Sequence, residues 1–234
     1  REGTMPELKS LVCLANSHKM SERCVAGKEL GEGTPGRWIR PVSKRRDHEL
    51  NAKERCYSDG AEPRLMDLIE IPLLEARPYH YQAENQLIDD RRRWRKAGRI
   101  DWNYLSRLVD RVDGGLWSNG YSSHHGENDR VPEQLANRFS HSLLLIHCRD
   151  LVATVSTEEK MFAELKTIVR IRFQHNREEY CLYVTDPIFR AEHQAKGNGD
   201  YPIPEAYLCL SLGDPLGGNC YKLAASVITP GRAA

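Results

Sequence analysis

The chain lacks the short signatures that most known enzymes carry. It has no GxSxG elbow, no HExxH, no HxE with a downstream PCxxC, and no Gly-rich dinucleotide loop. Gly27-Lys28 is not a Walker loop, because the earlier glycine and the Ser or Thr after the lysine are both missing. No CxxC pair exists, and seven cysteines scattered at 13, 24, 56, 148, 181, 209 and 220 are poor material for a disulfide framework. A zinc site drawn from Cys24, Cys56 and His18 or His48 would have no ligand pair at the usual spacing, so the sequence names no metal and no cofactor. No apolar run approaches the roughly 18 residues that span a bilayer. Arg1 to Thr4 precede Met5 and read as a cloning remnant, and Pro6 to Val12 lacks the head and apolar stretch of a secretory signal. The expected location is the cytoplasm, and no membrane is expected as a partner.

What is present suits a globular binding protein. The chain has 234 residues, 40% of them hydrophobic and 29% charged, room for one large domain or two of about 100 residues each. The net charge of +1 hides clustering. Arg91, Arg92, Arg93, Arg95, Lys96 and Arg99 crowd around Trp94, and Arg37, Arg40, Lys44, Arg45, Arg46, Lys53 and Arg55 form a looser group. Each run is either a solvated face or a phosphate-binding patch with an interleaved aromatic.

Strand signals dominate. "TIVRIRF" alternates Val169, Ile171 and Phe173 with Arg170 and Arg172, and "YCLYVTDP" repeats the period, so 167–185 is predicted to be a hairpin. "AYLCLSLG" and "CYKLAASVI", separated by "DPLGGN", predict a second. Asp186 reads as the cap of a turn. The one long helix is predicted after Asp101, with Leu105, Leu108, Val109 and Val112 at helical spacing before Gly114-Gly115, and a weaker one spans 132–139. Many short strands with Gly and Pro turns, without regular strand-helix alternation, predict a mainly β protein of two tandem small barrels. The expected boundaries are 5–113 for the first barrel with its helix, 114–133 for a linker or long loop, and 134–234 for the second barrel.

The stretches "LVCLANSHKMSERCVAGKEL", "GRWIRPVS", "RPYHYQAENQLID", "YVTDP" and "LCLSLGDPLGGNCYKLAASVI" resemble the successive motifs of a bacterial family, the dual OB-containing domain. The resemblance runs from about Leu8 to Ile228. It implies two OB-type barrels and binding of nucleic acid or nucleotides, in anti-phage or other conflict systems. It supplies no catalytic residues.

The motif residues carry their own chemistry. Asn16, Ser17, Arg23 and Lys28 form a donor-rich group for phosphate or base edges, or else a hydrogen-bonded turn. In "GRWIRPVS" period two puts Trp38 and Arg40 on one strand face and Ile39 on the other, which would present a stacking plate beside a cation. Tyr79, Tyr81, Gln82 and Asn85 suit base recognition, with Tyr79 and Tyr81 on one face by alternation. Arg92, Arg93 and Trp94 extend the set. Tyr81 and Glu84 are the candidates for catalysis, Glu84 as a general base if desolvated.

Three functions remain open. The first is a module for single-stranded DNA or RNA, the second an enzyme or sensor acting on a nucleotide or modified base. The third is a protein-interaction subunit, working with a partner chain or as a homodimer.

Overall fold

The computed structural model describes residues 5–19, 21–30, 36–159 and 165–233; the remnant at 1–4 lies outside them. The chain divides into two units. The first comprises Arg1–Asp110, Ser140–Leu143 and Gly231–Ala234, and the second Arg111–Phe139 and Leu144–Pro230.

The first unit is built from β1 (Glu7–Lys19), β2 (Glu22–Glu29), β3 (Trp38–Val42), the short helix α1 (Ala52–Arg55), β4 (Asp67–Ala76) and β5 (Asn85–Ile88). The strands close as a ring in the order β1-β2-β3-β5-β4, with β4 returning to β1. Among the described residues of the ring, β3 and β5 are the pair that runs parallel, through Arg40↔Asn85 to Val42↔Leu87. A sixth strand, β6 (Arg95–Arg99), pairs with β4 outside the ring. β1 and β2 approach so closely that a Cβ at Gly27 would come within 2.2 Å of the Val12 carbonyl oxygen, which accounts for glycine there. Leu11, Val25, Ile39, Leu50, Tyr57, Ile69, Ile71 and Trp94 fill the barrel.

The second unit adds β7 (Arg130–Pro132), α2 (Glu133–Ala136), β8 (Leu143–Glu159), β9 (Leu165–His175), β10 (Glu178–Val184), α3 (Pro187–Gln194), β11 (Gly199–Leu216) and β12 (Asn219–Ile228). Its ring runs β8-β9-β10-β12-β11, again with one parallel contact, here β10 to β12. Both units therefore share one connectivity: three strands, a helix, two strands, with the third and fifth parallel. This is the five-stranded Greek-key barrel of the OB type, and the protein is β-rich as the strand pattern predicts.

The 165–184 hairpin turns on Asn176 and Arg177, both at positive φ, and pairs Tyr180 with Phe173 and Leu182 with Ile171. In "DPLGGN" only Gly217-Gly218 turns, because Pro215 and Leu216 still pair with Cys220 and Asn219. The helix after Asp101 is shorter than its spacing predicts. Asp101 does cap it, accepting from the Tyr104 N–H at 3.0 Å, but a tight 3-10 segment, Trp102–Leu108, ends there. The Leu108 carbonyl accepts instead from the Lys28 ammonium at 2.6 Å, and Val109 is extended. Conversely, α3 is a true helix that strand periodicity hides: Asp186 accepts from the Phe189 N–H at 3.1 Å and Pro187 opens the first turn.

The stretch 114–129 has little regular structure yet packs tightly. Leu116 is in the second core, and the Tyr180 hydroxyl accepts from the Leu116 N–H at 2.9 Å and the Asn119 amide at 2.8 Å. Glu127 exchanges backbone hydrogen bonds with Cys181.

Candidate nucleic-acid interface

In OB barrels, oligonucleotides are taken by the face of the second and third strands and by the loops joining strands one to two and four to five. In the first unit the latter is 77–84. The Tyr79 and Gln82 backbones bond each other in both directions, at 2.9 and 3.2 Å, with His80 at φ 50° between them. That turn breaks the alternation expected of Tyr79 and Tyr81. Tyr81 is buried at 1% exposure, whereas Tyr79 remains 42% exposed. Two histidines meet the Tyr79 ring edge to face, His48 at 5.4 Å and His80 at 4.4 Å between centroids.

His48 belongs to the loop 43–51 that follows β3. Arg45 fixes this loop by a bidentate bond to Glu54, at 2.9 and 2.6 Å, and by donating to the Glu49 carbonyl. Glu54 also closes a capping box with Asn51 at the start of α1. The same loop carries Lys44, whose ammonium lies 3.5 Å from Asp90. Beside Asp90 stand Arg91 and Arg92, 74% and 64% exposed, both paired with buried Asp89. Arg91 holds the Asp89 carboxyl below its ordinary range. Loop 43–51 thus touches the exposed Tyr79 ring through His48 and approaches Asp90, which Arg91 and Arg92 follow in the chain, through Lys44.

Most other residues singled out from the motifs lie inside. Lys28 is buried with its ammonium on the Leu108 carbonyl and on Asp110 at 2.5 Å, so it is not free for phosphate. It sits 5.2 Å over the ring of half-buried Trp38, whose indole donates to Asp110 at 3.0 Å. Ile39 packs inward as period two predicts, but Arg40 is buried as well, so the cation beside Trp38 is Lys28. Trp94 is a core residue at 1% exposure; no base can stack on it, and it anchors a ribbon whose cations point outward. Arg93 donates to the Lys53 carbonyl at 2.5 Å.

Arg40, Gln82, Glu84, Asn85 and Ser142 form one buried network. Arg40 donates to Asn85 at 3.2 Å and to the Ser142 hydroxyl at 2.9 Å, and Asn85 donates to Gln82 at 3.2 Å. The Glu84 carboxylate accepts from the Ser142 N–H at 2.6 Å, the Ser142 hydroxyl at 3.0 Å and the Leu143 N–H at 3.2 Å. Occupied in this way, Glu84 fastens the returning segment 140–143 to the first barrel. Glu84 and Tyr81, the two catalytic candidates, are both buried, at 8% and 1% exposure.

Asn16 donates to the Pro63 carbonyl at 2.9 Å, Ser17 to the Cys24 carbonyl at 3.4 Å, and Arg23 lies 4.0 Å from Glu62. These residues stand on the paired strands β1 and β2 rather than in a turn, and Asn16 and Arg23 face the 62–63 segment. Arg55 bonds Glu62 at 2.7 Å and holds its carboxyl below the usual range. Among the described residues no cluster of three or more His, Cys, Asp or Glu is placed to hold a metal.

A family model described as the dual OB-containing domain matches residues 9–227. The chain belongs to the dual OB-containing domain family. The two five-stranded rings are the two OB barrels of that dual domain, and Tyr79 lies in the loop between the fourth and fifth strands of the first. No curated protein and no solved structure matches this dual OB-containing domain protein.

Motif reading overlooked His48 and His80 as neighbours of Tyr79. The signal available was topological: once 77–84 is the loop between strands four and five, its flanking residues become candidates.

Proposed function

We propose that this protein binds single-stranded nucleic acid through the first barrel, in the setting of bacterial anti-phage defence that its family resemblance implies. The observation that carries the reading is the surface made by loop 43–51 with its two neighbours. It offers Tyr79 as a stacking plate braced by His48 and His80, and Lys44, Arg91 and Arg92 as exposed cations. Aromatic plates beside a cationic track bind single strands without base preference, because every base has a π face and every nucleotide a phosphate.

The reading is narrower than the motif residues suggest. Trp38, Arg40, Tyr81 and Trp94 serve the barrel, and the nucleic acid is left to Tyr79 and the loop cations. Fluorescence anisotropy with a labelled single-stranded oligonucleotide tests it. Loss of one stacked base is worth about 1–3 kcal/mol, so Tyr79→Ala is expected to weaken binding about 5- to 150-fold. Lys44→Ala and Arg92→Ala are each expected to lower the slope of log affinity against log salt by about 0.7. Unchanged affinity and slope in all three variants would overturn the proposal.

A further inference from the structure

A second feature of the first unit lies outside that surface. A cavity of about 300 Å³ opens between the turn 57–62, the start of β4 and β6. That volume is at the lower end of small-molecule sites. Its walls include buried Tyr57, Asp67 and Trp94, with Asp59, Glu62, Arg64, Arg95 and Lys96 around them.

The internal pairing of these groups decides what they can take. Asp67 Oδ2 accepts from the Tyr57 hydroxyl and the Arg64 N–H, both at 3.1 Å, while its buried Oδ1 makes no hydrogen bond and is offset by the Lys96 ammonium 2.7 Å away. Glu62 is bound to Arg55, and Arg95 to Glu70 at 2.5 Å. Asp59 accepts from the Ala61 N–H at 2.9 Å.

Donors are what remain. The Trp94 indole N–H is buried without a partner, the Arg64 guanidinium has no side-chain partner among the described residues, and the Lys96 ammonium keeps protons beyond the one facing Asp67. Buried polar groups in native proteins are nearly always satisfied by protein, water or ligand, so the unpartnered indole N–H of Trp94, a residue of the cavity wall, asks for an acceptor.

We infer that this cavity binds a phosphate monoester, with Arg64, Lys96 and the Trp94 indole N–H as its donors. Donors from two chain segments, Arg64 just before β4 and Trp94 with Lys96 at the start of β6, suit a tetrahedral dianion better than a planar carboxylate, which one guanidinium can saturate by itself. The phosphate is either free, on a mononucleotide, or at the end of a strand; the recognising chemistry is the same.

Isothermal titration of the full chain with inorganic phosphate, adenosine 5′-monophosphate and a 5′-phosphorylated oligonucleotide tests the assignment, with the 5′-hydroxyl oligonucleotide as control. Saturable binding of the phosphate-bearing probes below about 10 mM is expected, weakened about tenfold or more by Arg64→Ala. Trp94→Phe keeps most of the ring and removes the N–H, and is expected to weaken binding several-fold with the fold intact. Arg64 is exposed, so its variant remains a fair test even if Trp94→Phe unfolds. A preference for the mononucleotide or for the phosphorylated strand identifies the source of the phosphate. Absent binding, affinity unchanged in Arg64→Ala, or equal affinity for acetate would overturn the inference. Tyr79→Ala is expected to leave phosphate binding unchanged, which separates this site from the oligonucleotide surface.

Discussion

Lys222 makes the stability of the second barrel depend on pH in an unusual direction. Its side chain is fully buried in β12, with the ammonium donating to Asn119 Oδ1 at 3.0 Å and lying 5.3 Å from the Tyr180 ring centre. Burial pushes its pKa down to about 7 from the ordinary 10.5, although Asp129 and Glu178 pull the other way. Between those two values the unfolded chain holds a proton that the folded chain has released. Stability therefore rises with pH across this window, at up to about 1.4 kcal/mol per unit, and is lowest where both states are protonated. Integrated from pH 6 to pH 9, this single group contributes about 3 kcal/mol of added stability. Lys222→Met keeps the length of the side chain and removes the titration; Asn119 Oδ1 retains the Tyr180 hydroxyl as a donor at 3.2 Å. Urea unfolding at a series of pH values, with Trp117 as the fluorophore in the second unit, measures both proteins. The wild type is expected to gain about 3 kcal/mol relative to Lys222→Met on going from pH 6 to pH 9. Parallel profiles for the two proteins would refute the reasoning.

Two other substitutions probe the buried polar groups. Glu84→Ala strips the Ser142 and Leu143 N–H groups of their acceptor and leaves Arg40 without the carboxylate in its network, so a loss of about 3–5 kcal/mol is expected in urea unfolding. A cost under about 1 kcal/mol would show that 140–143 is held by other contacts. Asp186→Ala removes the cap of α3 and the acceptor of the buried Val227 N–H at 3.3 Å, for an expected loss of about 2–4 kcal/mol. Faster amide exchange at Phe189 and Val227 than elsewhere in the unit would locate that loss.

Strand alternation was legible wherever one face is buried and the other wet. Phe173, Ile171 and Val169 point inward and Arg172 outward, as period two requires. It failed where both faces are covered: β3 buries Ile39, Arg40, Pro41 and Val42 in succession, so Trp38 and Arg40 do not form an outward pair. It failed again at the tight 79–82 turn, which reverses the chain between two tyrosines that looked alike. The Arg91–Arg99 run is exposed as its charge suggests, whereas Arg40 and Arg55 of the looser group are buried, and Trp94 shows that an aromatic among arginines can be the anchor of a ribbon. Partners distant in sequence were invisible. Nothing near Lys28 announces Leu108 and Asp110, and nothing near Glu84 announces Ser142. The surface around Tyr79 became visible only when the order of strands identified its loop.

The central claim is that a single strand lies on Tyr79 and the loop cations of the first barrel. Ultraviolet crosslinking of the full chain to a single-stranded oligonucleotide, followed by mass spectrometry of the crosslinked peptides, tests it most directly. Crosslinks are predicted at Tyr79 or its neighbours His48 and His80, and they are predicted to fade as salt is raised. Crosslinks confined to the second unit, or none at low salt, would contradict the account.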